Sequence, residues 1–211
     1  MKIVAINGSS KPNGNTSIAL SAVTDVLESQ GIETQRINIG AKAIHGCVGC
    51  GTCAKKQNRQ CRFEDDPVNE WLPSLFEADG LLIGSPVYYA GINGALKCLL
   101  DRAFFIAAFS GGLFRHKVGA AVCAVRRAGF VPAVDQINKY FMMSEMFIPS
   151  GNYWNGAYGM APGEAAKDVE GIQNLRVLGG NMAWLAKQLD AGKATLPPPE
   201  PKQQMNFIRK D

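Results

Sequence analysis

Apolar residues in this chain gather into short runs separated by longer amphipathic stretches. The runs at residues 1–7, 79–85 and 117–125 lack polar–apolar alternation, which is typical of strands buried on both faces of a parallel sheet. Residues 34–39 alternate and predict an outer strand, and residues 146–149 predict a short fifth strand. The pattern therefore predicts a sheet of five strands.

Apolar residues at helical spacing predict a helix after each strand. These helices begin at Thr16 or Ser17, at Asp66-Pro67, at Gly94, after Gly129 and at Gly163, and they end near Gly31, Phe76, Phe105, Met143 and Asp190. Alternating strands and helices predict an α/β three-layer sandwich, with a parallel sheet of order 2-1-3-4-5 between two layers of helices. A ligand of such a sheet binds at the carboxyl ends of the strands, where the loops at 8–16, 86–93 and 126–129 meet.

The length of 211 residues suffices for one domain with a full core. We assign residues 1–190 to this domain, with a cysteine-rich loop insertion at 45–64. Residues 191–211 are rich in proline and predict an extended C-terminal tail.

Composition excludes several classes of partner. The net charge of +4 is mild and has no dense Lys/Arg stripe, so no nucleic acid is expected. No apolar run approaches the roughly 20 residues that span a bilayer, so no membrane is expected. Because Met1 leads directly into a strand, we expect no signal peptide and a cytoplasmic location. Six cysteines in a reducing compartment then favour metal or redox chemistry over disulfides.

The loop after the first strand predicts an anion site. Free N–H groups and the macrodipole at the start of the next helix both favour a phosphate. Neither Gly-x4-Gly-Lys-Ser/Thr nor Gly-x-Gly-x-x-Gly occurs, and a phosphate held mostly by neutral groups favours FMN in a flavodoxin-like fold. The alternative is an ordinary capped turn. The candidate residues are Ser9, Ser10, Lys11, Asn13, Asn15, Thr16 and Ser17.

The loop after the third strand can receive a flat heteroaromatic ring. Residues 85–91 offer main-chain groups for the edge of a ring and the side chains of Tyr88 and Tyr89 for its face. The alternative is that both tyrosines are rim or core aromatics.

Three segments together resemble a known family. GSSKPNGNTS, ADGLLIGSPVYYAGINGALKCLLDR and the cysteine run are similar to the NADPH-dependent FMN reductase superfamily, and within it to the iron–sulfur flavoprotein branch. The resemblance covers most of residues 1–190 and implies non-covalent FMN. It implies that Ser9, Ser10, Lys11, Asn15 and Thr16 hold the phosphate, that Pro86, Val87, Tyr88 and Tyr89 flank the isoalloxazine with Asn93 nearby, and that Arg126, Arg127 and Gly129 approach the flavin from the third loop.

The spacing Cys47-x2-Cys50-x2-Cys53-x7-Cys61 predicts a [4Fe–4S] cluster. The first three thiolates are close enough in sequence to wrap one corner of the cubane, and the longer last spacing lets the chain return with the fourth. The motif also resembles that of iron–sulfur flavoproteins. A zinc site and unligated cysteines are the alternatives. We expect Cys98 and Cys123 to be core residues.

We therefore predict an FMN-dependent oxidoreductase with no catalytic acid or base among its side chains, since the flavin does the chemistry. The donor is NAD(P)H or a redox protein such as ferredoxin, and the acceptor is a quinone, an azo compound or another small molecule. The alternatives are a non-enzymatic flavodoxin-like electron carrier and a plain FMN reductase with a metal-free cysteine loop.

An apolar surplus predicts a homodimer or homotetramer. It comprises Phe104, Phe105, Ile106, Phe109, Phe141, Met142, Met143, Met146 and Phe147. We also expect the polar, aromatic segment at 152–171 to cover a flavin.

Overall fold

The computed structural model describes residues 1–201 and 203, so most of the last ten positions of the predicted tail lie outside the described residues. Five parallel strands form one sheet in the order β2-β1-β3-β4-β5, which confirms the predicted fold. The strands are β1 (Lys2–Asn7), β2 (Glu33–Asn38), β3 (Gly80–Pro86), β4 (Val118–Val125) and β5 (Gly156–Tyr158).

Six α-helices accompany the sheet in the described part of the chain: α1 (Asn15–Ser29), α2 (Thr52–Lys56), α3 (Val68–Glu77), α4 (Gly94–Phe109), α5 (Phe130–Met143) and α6 (Val169–Ala191). Side chains of β1 alternate between the two faces of the sheet. Ile3 and Ala5 pack towards α1 and α6, whereas Val4 and Ile6 pack towards α3, α4 and α5. The core is thus two apolar layers separated by the sheet.

The fifth strand is not where the sequence predicts it. Residues 146–149 contribute only an isolated bridge between Phe147 and Val118, and β5 pairs with β4 from Cys123 onward. Pro149 has no N–H with which to continue a ladder, so pairing stops after one bridge. The buried side chain of Asn174 then holds the connecting loop, because it accepts from Tyr153 N at 2.8 Å.

Two helices also differ from the prediction. The short helix α2 inside the cysteine loop was not predicted, since five residues are too few to show an apolar period. Helix α4 extends four residues beyond the predicted end, and Gly111 and Gly112 follow it with positive φ angles of 88° and 74°. The final helix, which the sequence predicts from Gly163, begins with a 3-10 turn at Glu164–Lys167, and α6 follows from Val169.

Two further predictions concern a membrane and the C-terminal tail. Among the described residues, no helix combines the length and the apolar character that crossing a membrane requires. The first part of the tail lies against the body of the protein, where Arg115 donates to the carbonyls of Pro197 at 3.0 Å and Pro198 at 3.2 Å.

Candidate functional site

The first loop is held in shape by a buried asparagine that the sequence analysis did not single out. Asn7 ends β1, donates to the Pro12 carbonyl at 3.1 Å and accepts from Ser9 N at 3.1 Å. Gly8 N donates to the Gly84 carbonyl at 2.8 Å. A Cβ on Gly8 would lie 2.7 Å from the Leu96 side chain, so only glycine fits there.

The start of helix α1 is free to bind an anion. Gly14 precedes the helix and provides no side-chain cap, so the first N–H groups lack a side-chain acceptor. Ser9, Lys11 and Thr16 line a cleft in front of this helix end. The cleft fits a phosphate, because hydroxyl groups, one ammonium and helix N–H groups converge on it.

The other candidates in the first loop have different surroundings. Asn15 also lines the cleft, but its amide donates to the Ala161 carbonyl at 3.0 Å and accepts from Ala165 N at 3.2 Å. Ser17 accepts from Arg36 at 2.9 Å. Ser10 and Asn13 are exposed and lie outside the cleft lining. Asn15 therefore acts as a tie between the first loop and the segment at 159–165.

The second loop is a tight turn with two residues in the left-handed region. Tyr88 and Gly91 exchange backbone hydrogen bonds of 2.9 and 3.0 Å, and Tyr89 and Ala90 between them have φ angles of 50° and 58°. Non-glycine residues in this region cost about 1–2 kcal/mol each, and such strain concentrates at functional sites. Gln136 supports the turn by accepting from Ile92 N at 3.1 Å.

The turn places its candidates differently around the cleft. Pro86, Val87 and Tyr88 line the cleft beside the first loop. Tyr89 is fully exposed at the tip of the turn. The side-chain oxygen of Asn93 accepts from Ala95 N at 2.8 Å and Leu96 N at 3.3 Å, so it caps α4. The predicted role of Asn93 at a cofactor stays a prediction, and this geometry disfavours it.

The third loop completes the cleft with one arginine. Arg126 lines it, whereas Arg127 is exposed and lies outside the lining. Gly129 has φ 90° and ends the loop at the start of α5, and a Cβ there would lie 3.0 Å from Ala90 Cα. Gly129 therefore allows the second and third loops to approach each other.

The segment at 159–168 closes the cleft from the side, and it lies within the segment 152–171 that was predicted to cover a flavin. Gly159, Met160 and Pro162 line the cleft. Glu164 braces them by accepting from Met160 N at 2.7 Å and Ala161 N at 2.8 Å. The Ala161 and Met160 N–H groups lower the pKa of Glu164, so the brace is anionic near neutral pH.

A second cavity lies at the cysteine loop. Cys47, Cys50, Cys53 and Cys61 all line it, together with Phe105 and Ile106 of α4. Within the described ranges, no three His, Cys, Asp or Glu side chains converge tightly enough to hold a single metal ion. A four-iron cluster separates its thiolates more widely than one ion does, and four thiols around one cavity are the donor set that it requires.

The last cysteine of the loop is fastened from two helices. Asn69 of α3 accepts from Cys61 N at 2.8 Å and donates to the carbonyls of Cys61 and Phe63, each at 3.0 Å. Arg102 of α4 donates from Nε to Cys61 Sγ at 3.2 Å and pairs with the carboxylate of Asp66. This role of Arg102 was not predicted, although an arginine among the apolar positions of α4 is a signal that could have revealed it.

The thiols of the loop differ in their electrostatics. The Thr52 side chain and backbone donate to Cys50 and lower its pKa. Burial raises the pKa of Cys53. Burial raises the pKa of Cys123, in the core of β4, to about 12, which agrees with the predicted core role. Cys98 is only half-buried, so the prediction that it is a core residue is wrong.

The parallel sheet with three loops at its switch point defines a flavodoxin-like protein. Two solved structures are similar to this chain. RosB with bound 8-demethyl-8-formylriboflavin-5'-phosphate has a TM-score of 0.71 at 17% identity, and the match covers 100% of this chain and 95% of that chain. A flavodoxin from the domain Archaea has a TM-score of 0.57 at 16% identity, and the match covers 89% of this chain and 99% of that chain.

The chain belongs to the NADPH-dependent FMN reductase family, whose model matches residues 1–160, and it is an FMN-binding flavoprotein. It is 35% identical to an iron–sulfur flavoprotein of Methanocaldococcus jannaschii over 89% of this chain and 98% of that protein. It is 28% identical to an iron–sulfur flavoprotein of Methanosarcina thermophila over 83% and 90%. The match to FMN reductase (NADPH) of Escherichia coli is 27% over about half of each chain.

Proposed function

We propose that this FMN-binding protein is an oxidoreductase that carries a [4Fe–4S] cluster on its cysteine loop and passes electrons between the flavin and the cluster. The observation that carries the proposal is that Cys47, Cys50, Cys53 and Cys61 line one cavity. When bound, FMN takes up two electrons as hydride, and a cluster exchanges single electrons.

The chain's own residues would bind and orient the flavin. Ser9, Lys11, Thr16 and the N–H groups at the start of α1 would hold the phosphate. Pro86, Val87 and Tyr88 would flank the ring, and Arg126 would approach it from the third loop. The segment at 159–168 would exclude water from one side of the cleft. None of these roles requires a side chain that gives or takes a proton, so the binding groups act by position.

The cysteine loop would bind the cluster through its four thiolates. Four thiolates leave the site negative, and Arg62 and Arg102 at the cavity would offset part of that charge. Apolar side chains of Phe105 and Ile106 would shield one side of the cluster from solvent.

An open cleft beside the flavin cleft supports a small-molecule substrate. Arg126, Gly159 and Met160 line both clefts, and Tyr158 and Lys167 line the open one. The carboxylates of Glu164 and Asp168 on the same lining balance the two cations, so the ring of Tyr158 is the feature that suits an aromatic molecule such as NAD(P)H as the donor. This cleft favours an enzyme over a carrier that only docks on other redox proteins. The proposed acceptor is a quinone, an azo compound or another small molecule.

Anaerobic purification tests the proposal. We expect flavin bands together with about four irons and four acid-labile sulfides per chain. Cys50→Ser should lose the broad cluster absorption and keep the flavin bands, whereas Cys98→Ser, outside the cavity, should keep both. Flavin without iron in the unaltered protein would leave a plain FMN reductase. Failure to oxidise NAD(P)H with a quinone present would favour an electron carrier.

A further inference from the structure

A buried arginine stands out on helix α4. Its neighbours on the same face, Leu99, Ala103 and Ile106, are core residues. The side chain of Arg102 is only 1% exposed, as is that of its partner Asp66. A buried charge is costly unless it is paired and hydrogen-bonded, so its partners indicate why it is there.

The guanidinium reaches both ends of the cysteine loop. Nη1 pairs with Asp66 and donates to the His45 carbonyl at 3.3 Å, and Nη2 donates to the Phe63 carbonyl at 3.4 Å. These bonds join residues before the first cysteine to residues after the last one. Burial alone would raise the pKa of Asp66, but Arg102 and the backbone N–H groups of His45 and Val68 together outweigh it, and the pKa lies below its usual value.

The remaining bond points at a cysteine instead of a carbonyl. Nε donates to Cys61 Sγ at 3.2 Å. A neutral thiol is a weak acceptor, whereas a thiolate accepts a strong, charge-assisted hydrogen bond. An arginine that only closed the loop would need no sulfur partner. The bond gains its full strength when Cys61 is a thiolate, which is its state as a metal ligand.

We propose that Arg102 is a positioning residue for the cluster: its Nε–H holds and polarises the Cys61 thiolate while Asp66 and the two loop carbonyls fix the guanidinium. This inference rests on the proposed function, because it needs the cysteine loop to hold a cluster. Cys61 depends most on such support, since seven residues separate it from Cys53. A hydrogen bond and a positive charge at the sulfur also favour the reduced cluster, so Arg102 raises its reduction potential.

Three variants test this role. Arg102→Gln removes the charge and the fork of donors, and Arg102→Lys keeps the charge but cannot reach all four partners at once. Lys97→Gln is the matched control, because it removes one positive charge from the exposed side of the same helix, where Lys97 pairs with Asp101 at 2.8 Å. Each protein is purified anaerobically, and FMN content reports whether the flavin domain is folded.

The readouts are iron release to a chelator and the reduction potential of the cluster followed by EPR. Loss of a group that orients a ligand typically weakens metal binding about 10-fold to 100-fold. We expect Arg102→Lys to keep its FMN, to release iron at least about 10-fold faster and to have a more negative potential. Arg102→Gln should show larger changes, and Lys97→Gln should match the unaltered protein.

The outcomes separate this inference from the proposed function. If Arg102→Lys and Arg102→Gln release iron at the unaltered rate and share its potential, the inference is wrong although the cluster is real. If Arg102→Gln does not fold, the potential of Arg102→Lys decides: an unchanged value overturns the inference. If the unaltered protein contains no iron, the proposed function fails first and the inference fails with it.

Discussion

At the scale of single residues, Gly8 decides whether the first loop can approach the third strand. Gly8 N binds the Gly84 carbonyl, and a Cβ on Gly8 would lie 2.8 Å from that carbonyl oxygen and 2.7 Å from Leu96. The backbone must come this close for Ser9 and Lys11 to reach the cleft at the start of α1.

Gly8→Ala should therefore weaken FMN binding and reduce stability by about 1–3 kcal/mol, because the added methyl overpacks a closed contact. Gly94→Ala is the control, since a Cβ at Gly94 would meet no atom within 4 Å. Flavin fluorescence titration and urea unfolding measure the two effects. Equal FMN affinity in both variants would contradict the close approach.

Asn69 acts at the same scale in the cysteine loop. Asn69→Ala should lower the free energy of unfolding of the metal-free protein by about 1–3 kcal/mol, because it leaves the Cys61 N–H and two carbonyls without their partner. Asn58→Ala changes an exposed asparagine of the same loop and should cost less than about 0.5 kcal/mol. Urea unfolding of both variants checks this prediction. Equal losses of unfolding free energy would show that Asn69 does not hold the backbone at Cys61.

At the scale of elements, the segment at 159–168 is held to the first loop by side chains far apart in sequence. Asn15 binds Ala161 and Ala165, and Glu164 braces Met160 and Ala161 from within the segment. The segment is therefore a wall of the cleft that the Asn15 amide ties to the first loop and that the Glu164 carboxylate braces from within.

Acid should loosen this wall. The pKa of Glu164 is lowered from its ordinary 4.5 by the N–H groups of Ala161 and Met160. A carboxyl group whose pKa is lowered on folding stabilises the fold above the ordinary value, and that contribution disappears as pH falls through the folded-state pKa. We expect FMN affinity to fall in this acidic range.

The matched variants make the pH test specific. Glu164→Gln should bind FMN more weakly at neutral pH and lose less of its affinity on acidification than the unaltered protein does. Glu170→Gln, at an exposed position at the start of α6, should follow the unaltered protein. FMN titrations across pH measure this, and identical curves for all three proteins would refute the brace.

At the scale of the whole molecule, the predicted apolar surplus divides between core and surface. Phe104, Ile106, Phe141 and Met146 are buried, whereas Met142, Met143, Phe109 and Phe147 are 70%, 83%, 50% and 38% exposed. Phe105, Phe109 and Met143 line a groove between α4 and α5. The surplus thus exceeds one core, as the prediction of a homo-oligomer requires.

We expect light scattering to give a dimer or a tetramer. Phe109→Lys combined with Met143→Lys should dissociate it, because two charges would be buried in the interface. Val169→Lys, at another exposed apolar residue outside the groove, is the control. A monomeric unaltered protein would contradict the prediction, and an intact oligomer in the double variant would place the interface elsewhere.

The local pattern of the sequence was enough for strands β1 to β4, because apolar runs without alternation are typical of buried parallel strands and helical spacing is typical of amphipathic helices. The alternation of strands and helices was then enough for the fold class, and with it the strand order and the cleft at the carboxyl ends of the strands. The spacing of the four cysteines likewise predicted that their side chains share one site, and all four line one cavity. The pattern failed at β5, because Pro149 interrupts pairing after one bridge and Asn174 of α6 holds the loop that leads to the actual strand. The position of β5 therefore depends on a residue in another element.

Only the tertiary structure decided which polar residues serve the sites and which serve the fold. Asn15 carries the same amide group as any ligand-binding asparagine, yet it ties two loops together through Ala161 and Ala165. In the sequence, Arg102 is only one charged residue in an apolar helix. Its role follows from Asp66 and Cys61, which the fold places beside it. Hydrogen-bond partners more than 30 residues away leave no trace in local periodicity, so the sequence determined the scaffold and the chemistry, and long-range packing assigned the roles.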